Sequence, residues 1–80
     1  MAIGTVKFFR AEKGWGAISS PDIPDGADAW VHFSVIDMDG FRELRAGDRV
    51  EFSYEAVQQD SFRFRATRVS KLPDERQESA

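Results

Sequence analysis

An all-β fold, five short strands curled into a partly closed barrel, follows from three features of the 80-residue sequence. Segments rich in β-branched and aromatic residues alternate with turn-prone stretches that carry Gly, Pro and Asp. No segment holds a sustained helical stripe of apolar residues. The chain has no cysteine, so neither disulfides nor thiolate–metal sites can reinforce a core near the lower size limit of independent folding. An open sheet would leave exposed edges and one uncovered face, and closure removes both.

The elements follow in order. Gly4 to Arg10, "GTVKFFR", reads as the first strand and "WGAIS", from Trp15, as the second, with Lys13-Gly14 as a tight turn between them. The interval "SPDIPDGAD" carries two prolines, a glycine and three aspartates and is a loop. "AWVHF" is the third strand. Within "SVIDMDGFRELRAGD" a short helical turn is expected at Ser34 to Ile36, followed by a long connection through Gly40 and Gly47. "RVEFSYEA" sets Val50, Phe52 and Tyr54 against Glu51, Ser53 and Glu55, the pattern of a half-exposed fourth strand. "SFRFRATRV" alternates again as the fifth, after a hairpin connection within "VQQDS". One domain over 1–72 is expected, with a disordered polar tail over 73–80, "PDERQESA".

Alternation assigns the two faces. Val6, Ile18, Val31, Ile36, Val50, Phe52 and Val69 fill the interior, each contributing about 1.5–3 kcal/mol when fully buried. Trp15 and Ala17, with Trp30 and His32, then point outward. Phe8, opposite in phase to Lys7, joins them, and Gly14 and Gly16 leave the faces of Trp15 uncovered from within its own strand. Exposed rings flanked by Lys7 and Lys13 suit a single-stranded nucleic acid, whose bases stack at about 1–3 kcal/mol each while phosphates meet the cations. His32 can stack or donate a hydrogen bond. A register shifted by one residue would instead bury both tryptophans.

The formal net charge of −3 weighs against a partner held mainly through its phosphates. The distribution softens that: Asp22, Asp25 and Asp28 fall in one loop and Asp74, Glu75 and Glu78 in the tail, whereas Lys7, Arg10 and Lys13 lie close together. For catalysis there is no nucleophile paired with a base, no phosphate-cradling glycine loop and no metal-ligand set, so no enzyme, cofactor or metal is expected. The chain shows neither a signal-peptide pattern nor an apolar run of membrane-spanning length, and a cytoplasmic location without membrane or small-molecule partner is the expectation.

"GTVKFFRAEKGWGAIS" followed by "AWVHFS" resembles the cold shock domain, with its aromatic-rich first strand, K-G-[FY]-G-F-I and V-F-V-H-F-S. The resemblance runs over about residues 3 to 72 and includes "DGFREL" and "VEF". It implies a five-stranded antiparallel OB-type β-barrel that binds single-stranded RNA and DNA through surface aromatics and acts as an RNA chaperone or a regulator of transcription or translation. By position, the family's nucleic-acid-binding residues fall on Lys7, Phe8, Lys13, Trp15, Trp30, His32, Phe33 and Phe41.

Departures from the pattern bear on the site. Ala17 stands where the family has an aromatic, Trp15 and Trp30 replace smaller phenylalanines, and Phe8 replaces a larger tryptophan. The family's Gly-Pro turn gives way to "QQDSFRFRA", whose Phe62, Arg63, Phe64 and Arg65 extend the binding face, cover the barrel or make a protein contact. Phe33 can turn inward at a strand end, and Phe41 can cap the barrel as readily as stack. A protein-docking barrel with weak or no nucleic-acid binding is the competing function. A monomer is expected, although the altered fourth-to-fifth connection would permit a homodimer by strand exchange.

Overall fold

A computed structural model describes residues 2–37 and 44–72. Its strands are β1 (Ala2–Arg10), β2 (Trp15–Ser19), β3 (Asp28–His32), β4 (Arg49–Gln59) and β5 (Phe62–Lys71), closed into a barrel in the order β1-β2-β3-β5-β4. All neighbours pair antiparallel except β3 and β5, which run parallel. A ring with an odd number of strands cannot alternate direction all the way round, so one such junction is obligatory. It is also the thinnest: only Ala29↔Phe64 and Trp30↔Arg65 are paired there.

All the interior positions read from alternation are buried. Val6, Ile18, Val31, Ile36, Val50, Phe52 and Val69 expose at most 2% of their surface. Ile23 and Leu44 join them from irregular segments that carry no period. The start of the Ile23 loop is tied down: the Ser20 hydroxyl donates to the Ile3 carbonyl (2.6 Å), Ile3 N–H donates to the Asp22 carboxylate (3.0 Å), and the Tyr54 hydroxyl donates to the Asp22 carbonyl (3.0 Å).

The helical turn after β3 is a 3-10 turn over Phe33–Val35, one residue earlier than expected. Ile36 then bridges to Val69, which lays the turn against β5. The fourth and fifth strands run longer than alternation suggested, and the connection narrows to Asp60-Ser61. Asp60 takes a positive φ of 53°, a conformation Asp tolerates better than most residues. The expected tail over 73–80, and Phe41 with its loop, lie outside the described residues.

Candidate nucleic-acid interface

β1, β2 and β3 carry a ladder of rings on their outer face. Phe8 meets Trp15 edge-on at 5.6 Å, Trp15 stacks on Trp30 at 6.4 Å with 22° between planes, and Trp30 stacks on His32 at 5.8 Å and 20°. Phe33 continues the series, tilted against His32 at 4.5 Å. Register explains the assembly: Trp15 lies opposite His32, and Trp30 opposite Ala17, so the two indoles meet on the diagonal. Phe33 is 45% exposed and is the one large hydrophobic residue so open among the described residues.

The site departs from strict alternation at Lys7. A bulge between Val6 and Phe8 places Val6 opposite Ile18 and Phe8 opposite Ala17, leaving Lys7 as the extra residue. Lys7 and Phe8 are therefore both outward, not opposite in phase. Lys7 Nζ sits 2.9 Å from the Asp28 carboxylate and is committed to an ion pair across β2. Lys13 and Arg10 are exposed and make no ion pair among the described residues, and the Arg10 guanidinium lies 5.5 Å from the centre of the Phe8 ring. These two are the free cations at the ladder's edge.

The two glycines around Trp15 serve other purposes than uncovering it. Gly14 closes the turn at φ 79°, and a Cβ there would lie 2.8 Å from the Phe33 ring, so the bare glycine is the seat on which Phe33 packs. A Cβ on Gly16 would lie 2.2 Å from the Phe8 carbonyl oxygen; Gly16 lets β1 approach β2 at the bulge. Trp15 is half-buried by its neighbours instead. Ala17 is no vacant platform either. Its 1% exposure shows that Phe8 and Trp30, opposite it on both sides, together with Trp15 fill the space a ring would take.

Phe62, left open by the sequence, lies on this face, edge-on to Trp15 at 6.3 Å. Phe64 does not: it packs on the core and meets Tyr54 edge-on at 5.6 Å. The only sequence signal separating them is position, since Phe62 begins β5 where β5 has not yet paired with β3.

Polar geometry orients the ladder. His32 Nδ1 lies 2.8 Å from the Ser34 hydroxyl and 3.2 Å from the Ser34 backbone N–H, which fixes the ring's orientation and leaves Nε2 on the outward side. Trp30 Nε1 is buried without a hydrogen-bond partner among the described residues. Such a group costs about 1–3 kcal/mol. Away from the ladder, a hydrogen bond from Arg68 to Asp37, reinforced by charge, raises the guanidinium above its ordinary value.

Among the described residues no cluster of His, Asp or Glu has the spacing of a metal site, and no helix is long and apolar enough to cross a membrane. A small closed barrel with an outward ring ladder defines a nucleic-acid-binding class of protein. The sequence model of the 'Cold-shock' DNA-binding domain matches residues 2–72, and the chain belongs to that family. It is 49% identical over 72 residues to the major cold shock protein of Micrococcus luteus, covering 90% of this chain and 100% of that one. The major cold shock protein of Streptococcus pyogenes serotype M1 is 43% identical over 72 residues, 90% of this chain and 98% of that one. Cold shock protein 1 of Lactiplantibacillus plantarum is 48% identical over 56 residues, 70% and 80% respectively. Nucleic-acid binding of the cold shock kind is thus the function of this chain.

Proposed function

We propose that the chain binds single-stranded RNA or DNA by stacking unpaired bases on Phe8, Trp15, Trp30, His32 and Phe33, and that it works as a monomeric RNA chaperone or regulator of transcription or translation in the cytoplasm, without catalytic activity. The observation that carries this is the continuity of the ladder, with ring centres 4.5–6.4 Å apart from one strand to the next. Duplex bases are already stacked on one another and offer no face to it, whereas unpaired bases do. Lys13 and Arg10 take phosphates; Lys7 does so only by leaving Asp28. Phe41 enters on the family resemblance alone. Stacking leaves the sugar largely unread, so the proposal covers RNA and DNA alike.

Tryptophan fluorescence tests it directly, because both tryptophans are ladder residues. Single-stranded oligonucleotides are expected to quench emission saturably, and the matching duplex to quench it weakly. Absence of quenching by any strand would favour the protein-docking alternative. Equal quenching by duplex and single strand would replace stacking by phosphate contact as the source of affinity.

A further inference from the structure

We propose that the cleft between the start of β3 and the start of β5 is an additional nucleotide subsite, where a base stacks on Phe62 and a phosphate is held by Arg63. The inference rests on the single-strand reading above and extends it beyond the β1–β3 ladder.

The cleft exists because β3 and β5 pair at only two positions and part below them. It is an open cleft of about 410 Å³, lined by Ala27, Asp28, Ser61, Phe62 and Arg63. Phe62 is half-buried and serves both regions: it lines the cleft and touches Trp15, so a base lying on it would follow directly from one on the ladder. The sequence "FRFR" offers two aromatic–cation pairs, and the second is already used. Phe64 is packed with Tyr54, and Arg65 is bound by Glu55 through both Nε and Nη2.

Arg63 is held far more loosely. Its guanidinium is 3.8 Å from Asp25, with 61% and 76% of the two side chains exposed, a geometry worth little in water, and it lies 5.9 Å from the centre of the Phe64 ring, an exposed contact that a phosphate can share. A phosphate can displace Asp25 without leaving a buried charge behind. The other carboxylate of the cleft, Asp28, is neutralised by Lys7 at 2.9 Å. The cleft therefore presents an aromatic wall and an available cation on the ladder's flank.

The test titrates the whole protein, by fluorescence, with oligothymidylates of about four and about eight nucleotides, lengths at the low end of single-barrel site sizes. Phe62→Leu keeps an apolar contact for Trp15 but removes the stacking plane. It is expected to weaken the longer strand between about 5-fold and about 150-fold, the loss of one platform, and to leave the shorter one unchanged. Arg63→Gln is expected to flatten the longer strand's log K against log salt by about 0.7. Equal weakening at both lengths would reduce Phe62 to a positioning residue for Trp15 and overturn the subsite. So would variants indistinguishable from wild type. A wild-type protein that binds neither strand would overturn the single-strand reading itself, and the subsite with it.

Discussion

The two outer surfaces of this barrel handle charge in opposite ways. On β5 every described arginine and lysine has an acidic partner: Arg63 with Asp25, Arg65 with Glu55, Arg68 with Asp37 and Lys71 with Asp48. On the surface of β1–β3 the rings take the place of ion pairs, and Arg10 and Lys13 stand beside them without partners among the described residues. A net charge of −3 is thus compatible with a ligand of like sign. Four carboxylates neutralise the cations of β5, and in the proposed reading affinity on the other side comes from stacking, which does not depend on net charge. Two residues are exceptions: Lys7, a cation of the aromatic side held by Asp28, and Arg63, whose pair with Asp25 is exposed and loose at 3.8 Å.

The largest expected effect lies in the ladder. Trp30 is central, stacked on Trp15 and on His32, so Trp30→Ala is expected to weaken single-strand binding by about 1–3 kcal/mol. Circular dichroism should show the fold retained, because Val31 and Ala29 hold β3 to the core from the other side. Trp30→Phe sharpens the point. It keeps a ring for stacking and removes the unpartnered Nε1, so it should cost little affinity and leave stability equal or higher. An unfolded Trp30→Ala would mean that the ring is structural and would erase the division between the surfaces.

Ala17→Phe comes next. The family resemblance alone would have the new ring restore a platform, but Ala17 is buried beneath Phe8, Trp15 and Trp30. Forcing a phenyl into filled space costs about 1–3 kcal/mol, and here it would also push the indoles apart. Lower thermal stability together with weaker binding is the expected pair of results. Tighter binding at unchanged stability would show that the ladder has room for a further ring.

These two variants also mark where the sequence was legible and where it stopped. The interior was readable because strand bounds and a period of two suffice to say which side chains face in, and Val50 with Phe52 or Ile18 with Val31 needed nothing more. Trp15, Trp30 and His32 were readable as outward for the same reason, whereas Phe8 faces outward only through the bulge, and Phe33 and Phe62 had no period to place them. The ladder's internal geometry was not readable. Alternation within one strand carries no information about register with the next, and it is register that brings Trp15 and Trp30 together over Ala17. The bulge at Lys7 adds a residue that a period of two cannot count, so Lys7 and Phe8 share a face. Gly16 looked like an opening beside Trp15 because its real constraint, the backbone of β1, belongs to another strand. Ile23 is buried from a loop whose prolines and aspartates signal only a turn. Phe62 and Phe64 look alike in sequence and part company because one lies beyond the β3–β5 pairing and the other within it.

The smallest expected effect tests the charge comparison itself. For a strand too short to reach the β3–β5 cleft, Arg10 and Lys13 are the cations free to meet phosphates, so about two contacts and a slope of log K against log salt near −1.4 are expected. Lys13→Ala should flatten that slope by about 0.7, one phosphate's share, while leaving stability untouched because Lys13 is exposed at a turn. Arg65→Ala should do the reverse. Its guanidinium is bound to Glu55 through Nε at 3.2 Å and through Nη2, both side chains are partly exposed, and breaking such a pair costs between about 0 and 1 kcal/mol of stability. The salt slope should stay where it was, because a cation already neutralised by a carboxylate releases no counterion from the strand. If Arg65→Ala flattened the slope as much as Lys13→Ala, the ion pairs of β5 would be yielding to phosphate, and the barrel would have one continuous basic surface instead of two contrasting ones.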